Sequence, residues 1–455
     1  MNLHEFIAAA AARGWLLYVS RPVSAELELA AVAHALDGRP VLFSAVANPY
    51  HSAAGPARVL TGLAADRRHF ALALGCAPDQ ILFRLAEAFA RPQPAPQVAQ
   101  GPCQEVIARP GDLTALPFLK HWPDDAGPYA TAAIVILRDP DFGLNASFHR
   151  LLRLDDHRLA ARLVERRGAD TAWRKAAGDL PVAICIGLPL HVLLAASMAP
   201  AAGVSELDIA HALRPTPLVR CLTHDLLVPA EAEFVLEGRI THELAEEGPF
   251  VDLTETIDIA RRQPVIEIDC ITHRRDAIYH ALLPGGLEHK LLMGMPKEPS
   301  IYAAVNEVAR CRNVCITPGG ASWLHAVVQI DKQAADEGEK AVLAAFRGHG
   351  SLKHVVIVDK DIDPFDPAQV EWAIATRFQA GRALHLLRDQ PSSSLDPSAT
   401  HTPGQKSRSD KMGLDATIPW DTAAGPAHPD HFRRLPLPEV AVGEYLEVQR
   451  ATQET

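Results

Sequence analysis

The sequence contains no paired cysteines and no marker for export. Its 455 residues include seven cysteines, which are scattered singly with no C-x-x-C pair. Cys311 and Cys315 lack the second cysteine pair that would complete a zinc site. The opening residues, Met-Asn-Leu-His-Glu-Phe-Ile, place no basic stretch before an apolar core, so we expect no signal peptide. We therefore expect reduced, mostly buried thiols and a cytoplasmic protein.

Two further absences restrict the partners. No uncharged run approaches the roughly 18 residues that a membrane span needs, so we expect no membrane-spanning segment. The formal net charge is -11, which argues against nucleic acid as a partner because phosphate backbones need a basic face. An anionic small substrate is still compatible with this charge, since a local arginine can dominate a pocket.

The common motifs of hydrolases and nucleotide-binding proteins are also missing. There is no P-loop, no G-x-G-x-x-G after a strand and no G-x-S-x-G elbow. The stretch Thr241-His-Glu-Leu-Ala-Glu246 contains His-Glu but no second histidine at the zinc-protease spacing. The pair Gly319-Gly320 is too short to be more than a turn. Hydrolase and nucleoside-triphosphatase functions are therefore disfavoured.

The pattern that is present predicts a mixed α/β protein with two or three domains. Residues 1–112 alternate short helices and strands, and a proline cluster at 91–96 resembles a linker. Residues 113–295 carry longer strands with helical insertions, which suggests a β-barrel-like domain. Residues 296–455 alternate strand and helix again, which predicts a mainly parallel sheet followed by an irregular arm at 390–430. Predicted helices cover 2–13, 25–36, 65–74, 79–90, 155–176, 190–199, 205–213, 299–309, 331–348 and 368–377.

Two carboxylates flank a Gly-Pro pair in Glu247-Gly-Pro-Phe-Val-Asp252. The dihedral angles of glycine and proline favour a tight, non-helical loop. Paired carboxylates on such a loop suit proton transfer, because repulsion and burial can raise one pKa toward neutrality. An acidic surface turn explains the same residues equally simply.

A second polar cluster is Asn145-Ala-Ser-Phe-His-Arg150. In a strand, Asn145, Ser147 and His149 face one side, while Phe148 and Arg150 face the other. An arginine beside an aromatic ring could clamp a carboxylate through two parallel hydrogen bonds. A surface arginine on an edge strand is the alternative.

Three isolated polar residues have both a structural and a functional interpretation. Glu206 opens a predicted helix behind Ser205, a suitable N-cap, and its carboxylate is either a helix-dipole partner or a ligand of a hard cation. His289 is either a structural histidine or a substrate contact. Lys411 lies in a polar segment, where it is either solvated or directed at a cofactor phosphate.

These segments together resemble the UbiD-type decarboxylases, which use prenylated FMN. The resemblance runs from about Leu116 to Thr417 and preserves the order of the family's motifs. The matching segments are Asp125-Ala-Gly-Pro-Tyr129, Asn145-x4-Arg150, Gly203-Val-Ser-Glu206, Val228-Pro-Ala-Glu-Ala-Glu233, Glu247-Gly-Pro-Phe250 with Asp252, Ile271-Thr-His-Arg274, Val356-Ile-Val-Asp-Lys-Asp-Ile-Asp363 and Lys411-Met-Gly-x-Asp-Ala-Thr417.

The resemblance implies a central flavin-binding split β-barrel between an N-terminal and a C-terminal α/β part, assembled as a homodimer or homohexamer. It implies that Arg150, Glu247 and Asp252 form a catalytic set. It places Asn145 and Glu206 on a divalent cation, typically Mn²⁺, which holds the flavin phosphate, with K⁺ as a further candidate cofactor. The positions implied to surround the cofactor are Asn145, Ser147, Phe148, His149, Arg150, Arg167, Gly168, Glu206 and Lys411.

One segment departs from the family pattern. The family supplies a histidine as third metal ligand after the helix that follows the arginine, whereas this chain reads Val164-Glu-Arg-Arg-Gly168 there. Arg167 and Gly168 stand at that point, so the metal and its identity are in question. Our hypothesis is that Arg167 contacts the phosphate directly and replaces part of the cation's charge.

The implied reaction is non-oxidative decarboxylation of an aromatic or heteroaromatic acid. Loss of CO₂ leaves an electron pair that no side chain can delocalise, so a cofactor must act as electron sink. The segments 287–296 and 318–325 look most like members acting on furan dicarboxylates, with His289 contacting the substrate, which predicts conversion of 2,5-furandicarboxylate to 2-furoate. The alternatives are pyrrole-2-carboxylate or another aromatic or unsaturated acid, a non-catalytic flavin-binding subunit, and an FMN reductase. A flavin prenyltransferase would supply the cofactor.

Overall fold

The computed structural model describes residues 1–47, 57–402, 405–422, 425–426, 429–432, 435 and 438–441. Helices and strands alternate along the chain, and most described strands belong to three sheets, each flanked by helices. The predicted mixed α/β, multi-domain fold class is confirmed. The boundaries predicted at 112/113 and 295/296 stay predictions.

The N-terminal part packs four helices around a five-stranded sheet with the order β1-β3-β4-β19, in which β2 also pairs with β3. Its first helix begins at Asn2, whose side chain accepts the Glu5 N–H while the Glu5 side chain accepts the Asn2 N–H. This reciprocal pair satisfies two peptide N–H groups that a helix start leaves open. The elements are α1 (Leu3–Ala12), β1 (Leu17–Val19), β2 (Val23–Ser24), α2 (Glu28–Ala35), β3 (Val41–Ala47), β4 (Ala57–Thr61), α3 (Arg67–Leu74) and α4 (Ile81–Ala90).

The central part is built on a nine-stranded antiparallel sheet with the order β7-β10-β11-β18-β15-β12-β8-β9, to which β6 adds beside β18. The described strands form an open path with β7 and β9 at its ends, not a closed ring. The elements are β5 (Gln97–Val98), β6 (Val106–Ala108), β7 (Tyr129–Ala130), β8 (Ile134–Asp139), β9 (Gly143–Phe148), β10 (Leu151–Arg153), β11 (Arg158–Ala161), α5 (Gly168–Lys175), β12 (Leu180–Ile186), α6 (Leu190–Ala196), α7 (Glu206–Leu213), β13 (Leu218–Arg220), β14 (Leu227–Pro229), β15 (Phe234–Glu247), β16 (Phe250–Val251), β17 (Ile257–Asp258), β18 (Arg261–His273) and β19 (Tyr279–His280).

The C-terminal part holds a five-stranded sheet with the order β20-β21-β22-β24-β23. Strands β21, β22 and β24 run parallel, whereas β20 and β23 pair antiparallel at the two edges. The elements are α8 (Leu287–Gly294), α9 (Glu298–Asn306), β20 (Cys311–Ile316), β21 (His325–Ile330), α10 (Glu337–Gly348), β22 (His354–Asp359), α11 (Pro367–Arg377), α12 (Ala380–Ala383), β23 (Leu384–Pro391), β24 (Arg408–Asp415), β25 (Asp421–Thr422) and β26 (Gly425–Pro426).

Three expectations about the elements are wrong. The helix predicted over 155–176 is a strand, β11, followed by the shorter helix α5. The C-terminal sheet is mixed rather than mainly parallel. The arm predicted as irregular contributes β24, which lies inside that sheet because it pairs with both β22 and β23. In each case pairing with a distant strand overrides the local pattern.

The three parts share their cores. One apolar cluster joins α1, α3 and α4 to α6 and α7 of the central part. Leu82 of α4 packs instead with the residues of the C-terminal sheet and its helices. The N-terminal part therefore contacts both of the others, and helix α8 begins where all three meet. No described helix combines the length and the apolar character that a bilayer span requires.

Candidate active site

Arg150 lies between β9 and β10 and forms ion pairs with three carboxylates. Its Nε and Nη2 donate to the two oxygens of Glu247 at 2.8 and 3.0 Å. Its Nη1 donates to Asp252 at 2.9 Å, and Nη2 also donates to Asp258 at 2.9 Å. The guanidinium carbon lies 4.5 Å from the centre of the Phe250 ring. Four hydrogen bonds to carboxylates fix the plane of this guanidinium.

Glu247 ends β15 and is completely buried. Besides Arg150, its Oε1 accepts the hydroxyl of Tyr129 at 3.2 Å, and that same hydroxyl oxygen accepts the Gly248 N–H at 3.2 Å. Gly248 has φ +92°, a backbone conformation that favours glycine, and it turns the chain out of the strand. Burial, followed by the charge of Glu247, raises the pKa of Tyr129, so its hydroxyl stays a donor. Glu247 therefore positions Arg150 and is sealed from a substrate.

Asp252 and Asp258 sit on a short hairpin formed by β16 and β17. The register pairs Phe250 with Asp258, and the Asp252 N–H donates to the Thr256 carbonyl across the turn. The side chains of Asp252 and Asp258 are 21% and 20% exposed, so both border accessible space, unlike Glu247. Although burial opposes it, hydrogen bonds and charge from Arg261 and Arg150 lower the pKa of Asp258. Asp258 is therefore an ionised group with two cationic partners.

Helix α8 carries His289 to this hairpin. The Gly285 N–H donates to Nδ1 of His289 at 3.2 Å, which leaves the proton of the neutral ring on Nε2. Burial lowers the pKa of His289, and the charge of Asp252 opposes that shift. Lys290, the next residue, forms an ion pair with Glu255 at the hairpin tip. His289 thus presents a neutral N–H donor near Arg150 and Asp252.

The start of α8 is held by the N-terminal part. Glu288 is buried and accepts the N–H groups of Gly62 at 2.9 Å and Ala64 at 3.0 Å, and its Oε1 lies 2.9 Å from Nε2 of His280. The Leu287 N–H donates to the carboxylate of Asp37. These bonds set the position of the helix, and therefore of His289, from outside the central sheet.

A second group of polar residues lies along β9. The Ser147 hydroxyl lies 3.2 Å from Oδ1 of Asn145 and 3.0 Å from Nε2 of His149. These three side chains therefore share one face of the strand, as the alternation of faces predicted. His149 Nδ1 donates to the Arg162 carbonyl, and burial lowers the pKa of its ring. Phe148 packs against the core cluster that includes α6 and α7.

Glu206 begins α7 behind the N-cap Ser205 and faces this group. Its carboxylate accepts the Asn145 Nδ2–H at 3.1 Å and the Ala146 N–H at 2.9 Å. Burial raises the pKa of Glu206 to about 7, and no cationic side chain among the described residues pairs with it. A buried carboxylate with only neutral donors is electrostatically suited to a cation. No described group of three or more His, Cys, Asp or Glu side chains is arranged to hold a metal.

A third cluster collects positive charge around His349. Burial, followed by the charge of Lys297, lowers the pKa of His349 to about 3, with Lys411 and Arg167 adding to the effect. Burial and Arg167 also lower the pKa of Lys297 to about 8. Lys411 is buried on β24, donates to the Gly350 carbonyl at 2.7 Å and has a pKa lowered by burial to about 8.

These three cations, which we call the cation cluster (Arg167, Lys297 and Lys411), have no carboxylate partner within the described part of the chain. The buried Nε2 of His349 likewise has no hydrogen-bond partner there. Arg167 precedes α5, whose first residue, Gly168, lies against the Asn145 side chain. Cations without acids, beside a helix N-terminus, form a site for a phosphate-like anion. The residues present therefore fit the phosphate of a flavin mononucleotide.

The predicted site residues thus form three neighbouring groups. Arg150, Glu247, Asp252 and His289 meet at the hairpin; Asn145, Ser147, His149 and Glu206 meet on β9; Arg167 and Lys411 contribute to the cation cluster. Sequence reasoning missed Tyr129, Asp258 and Lys297. Tyr129 lies inside a quoted motif, so a signal existed, whereas Asp258 and Lys297 lie outside every segment that the sequence singled out.

Three domain profiles of the UbiD family match the chain. They describe the N-terminal domain, the Rift-related domain and the C-terminal domain of 3-octaprenyl-4-hydroxybenzoate carboxy-lyase, over residues 7–89, 96–287 and 290–416. Together they span most of the sequence and the three groups of site residues.

Relatives that are named as decarboxylases are similar to this chain over most of their length. An anhydromevalonate phosphate decarboxylase of Methanosarcina mazei is 42% identical over 423 residues, covering 92% of this chain and 96% of the relative. Another of the same name, from Methanothermobacter thermautotrophicus, is 43% identical over 373 residues, covering 80% of this chain and 86% of the relative.

Solved structures show the same fold. The UbiD-class enzyme HmfF from Pelotomaculum thermopropionicum, in complex with FMN, superposes with a TM-score of 0.90 and 39% identity, over 98% of this chain and all (100%) of that one. An evolved dimeric form of that enzyme, in complex with prFMN, has a TM-score of 0.86 and 37% identity over 98% and 100% of the chains. A 3,4-dihydroxybenzoic acid decarboxylase from Enterobacter cloacae has a TM-score of 0.87 and 28% identity, over 98% of each chain.

Proposed function

Because this chain belongs to the UbiD family of decarboxylases, we propose that it removes CO₂ without oxidation from an unsaturated acid that carries a second anionic group. The observation that carries this proposal is the presence of two separate charged sites. Arg150 with its acids forms one, and Lys297, the member of the cation cluster that remains for the substrate when Arg167 and Lys411 hold the flavin phosphate, forms the other. One helical segment links them, since His289 and Lys297 are eight residues apart, roughly 12 Å along a helix.

The cofactor that fits this arrangement is prenylated FMN, whose ring system, when bound, supplies the electron sink for the charge left as CO₂ departs. Arg167 and Lys411 would hold its phosphate, aided by the start of α5 beside Asn145. One solved relative, HmfF, has been determined in complex with FMN and, in an evolved form, with prFMN. A flavin prenyltransferase as supplier belongs to the same proposal.

Arg150 and the two acids of the predicted set have different roles. Glu247 is buried and hydrogen-bonded on both oxygens, so it keeps Arg150 charged and oriented. Arg150 has one N–H left after its four bonds to acids, and this donor orients the substrate carboxylate. Asp252, which is accessible, donates the proton to the carbon that has lost CO₂. The FMN-reductase and carrier alternatives give no role to this donor.

We also propose a divalent cation, Mn²⁺ by resemblance, held by the Asn145 Oδ1 and the Glu206 carboxylate against the phosphate. Ser147 would then donate to His149 rather than to Asn145, since it has one proton for two acceptors. Arg167 stands beside this pair in place of a third ligand, so it shares the charge of the phosphate with the metal. K⁺ is a further candidate ion.

The substrate's second anion decides between the candidates. Anhydromevalonate phosphate offers a phosphate to Lys297, and the relatives that carry this activity in their names cover most of the chain. 2,5-Furandicarboxylate is the second candidate, because its second carboxylate could use the same lysine or the N–H of His289. Pyrrole-2-carboxylate ranks below both, since it has no second anion to occupy Lys297. A homodimer or homohexamer and a cytoplasmic location, which suits seven free thiols, complete the proposal.

The test uses protein loaded with prenylated FMN and these three acids, with CO₂ release as the measurement. We expect anhydromevalonate phosphate to give the highest kcat/KM. Asp252→Asn is expected to abolish release while retaining the flavin spectrum. Asp156→Asn, a surface aspartate paired with Arg153, serves as the control. Normal turnover by Asp252→Asn would refute the proposed role of Asp252 as proton donor. If none of the three substrates releases CO₂, the proposed substrate class is refuted.

A further inference from the structure

Glu298 is the acid next to Lys297 in the chain, and Arg67 binds it through both oxygens. Nη1 and Nη2 of Arg67 donate to Oε1 and Oε2 of Glu298, each at 2.9 Å, and Oε1 also accepts the Ile316 N–H at 3.1 Å. The Glu298 side chain is completely buried, and that of Arg67 is 17% exposed. This ion pair, which no role above uses, joins the start of α3 to the start of α9.

We propose that Arg67 is a positioning residue that determines specificity: by holding Glu298, it leaves the ammonium group of Lys297 without a counter-charge and open to the second anion of the substrate. The inference rests on the proposed function, in which Lys297 receives that anion. It gives the N-terminal part of the chain a share in the choice of substrate.

The position of Glu298 makes a partner for this acid necessary. Consecutive Cα atoms lie about 3.8 Å apart, so a Glu298 without a cation would act on Lys297 through the protein interior, where water screens charge weakly. Two parallel hydrogen bonds from Arg67 neutralise the carboxylate, and the Ile316 N–H at the end of β20 helps to fix its orientation. The guanidinium carbon lies 4.4 Å from the centre of the Phe365 ring, which fixes the arginine in turn.

The other groups around Lys297 supply no negative charge within the described ranges. Burial and the charge of Arg167, which precedes α5, lower the pKa of Lys297 to about 8. His349, which follows α10, is a neutral ring with a pKa of about 3, and Lys411 of β24 acts on the same ring. Lys297 is itself partly exposed. With Glu298 occupied by Arg67, an incoming anion supplies the counter-charge that this lysine lacks.

The two members of the ion pair should have opposite effects on Lys297. A nearby carboxylate favours the cationic form of a lysine, so Arg67→Met is expected to move the titration midpoint of Lys297 up by about one pH unit. The same interaction competes with the substrate, and KM for anhydromevalonate phosphate should therefore rise about tenfold. Glu298→Gln leaves Arg67 without its acid, so the midpoint should fall. The double variant lacks both charges and should return both quantities close to their parent values.

The experiment follows Lys297 by carbon-13 NMR after reductive methylation with labelled formaldehyde, and its signal is identified by its loss in Lys297→Met. In parallel, KM is measured on holoenzyme with anhydromevalonate phosphate and with pyrrole-2-carboxylate, which has no second anion and whose KM should not change. Arg68→Met is the matched control, because it removes the neighbouring, exposed arginine, which pairs with Asp66. It should leave both measurements unchanged.

A raised midpoint and a raised KM in Arg67→Met, both reversed when Glu298→Gln is added, support the proposal. An unchanged midpoint in Arg67→Met overturns it, and so does a KM that the double variant fails to restore. If the midpoints move as expected but no acid releases CO₂, the role of Arg67 at Lys297 is supported and the proposed function is refuted. If Arg67→Met does not fold, Glu298→Gln decides, since an unchanged midpoint there also overturns the proposal.

Discussion

The hydroxyl of Tyr129 bridges the end of β15: it donates to Oε1 of Glu247 at 3.2 Å and accepts the N–H of Gly248 at 3.2 Å. The Tyr129 ring also packs against Phe250, with ring centres 4.6 Å apart. One residue of β7 thus holds both the carboxylate that orients Arg150 and the peptide that turns toward Asp252. Tyr129 therefore links the central sheet to the loop that leads to Asp252.

We expect Tyr129→Phe to lower kcat about tenfold with little effect on KM. The change removes one hydrogen bond to Glu247 and leaves the buried Gly248 N–H without its partner, a loss of about 1–2 kcal/mol. Steady-state kinetics on the flavin-loaded protein measure it. Tyr279→Phe is the matched control, because Tyr279 is also fully buried and its hydroxyl has no hydrogen-bond partner among the described residues. Equal losses in both variants would contradict the prediction.

Glu206→Gln should weaken cation binding and, with it, retention of the flavin. The substitution removes the carboxylate charge that lies next to Asn145, so we expect at least a tenfold loss in Mn²⁺ affinity. Metal content and flavin absorbance after dialysis against chelator measure the effect. Asp208→Asn removes a charge from the same helical turn, where Asp208 accepts the Ala95 N–H, and should retain both. Full metal and flavin occupancy in Glu206→Gln would exclude the proposed cation.

We expect substrate affinity to fall in alkaline solution because Lys297 loses its positive charge there. Burial lowers the pKa of Lys297 to about 8. A lysine is cationic below its pKa, so kcat/KM for anhydromevalonate phosphate is expected to decline above about pH 8. Lys297→Met should lower kcat/KM by about 10- to 100-fold below that pH, the loss of one charge-assisted hydrogen bond. Lys297→Arg should retain activity and remove the decline. Pyrrole-2-carboxylate is the control substrate, and equal losses with it would argue against a second anion at Lys297.

Glu288→Gln should destabilise the junction of α8 with the N-terminal part. The glutamate accepts two peptide N–H groups and faces His280, whereas glutamine offers one oxygen and an NH₂ group, so one buried donor is left unpaired. We expect a loss of about 1–3 kcal/mol, measured as a lower Tm, and reduced activity because His289 is the adjacent residue. Glu339→Gln, an exposed glutamate on α10, is the control and should leave Tm unchanged.

Local periodicity predicted the elements whose partners are close in sequence. The helices predicted over 190–199 and 205–213 are α6 and α7, because apolar spacing and the Ser205 cap act within a few residues. The prediction of a helix over 155–176 was wrong because β11 is stabilised by pairing with β18, about a hundred residues later. The prediction of a mainly parallel C-terminal sheet was wrong at its edges for the same reason, since strand direction depends on which neighbouring strand is available.

The residues of the candidate site also fall into those that a sequence motif reveals and those that only the fold brings into place. Arg150, Glu247 and Asp252 could be selected in advance because their residue types and order carry a motif. Asp258 could not, because Ile257-Asp-Ile259 reads as an exposed strand until the hairpin register sets Asp258 opposite Phe250. Lys297 lies in a Pro-Lys-Glu-Pro segment that looks like a surface loop, and only folding brings it near Arg167 and His349.

The amino-acid sequence by itself determined the family and the fold class, and it predicted a catalytic set of one arginine and two acids, because short-range patterns and motif order are written directly in the chain. Only the tertiary structure decided which acid is sealed, which one is accessible and which cations have no counter-charge. Those properties depend on burial and on distances between residues that lie up to hundreds of positions apart, and no local pattern contains them.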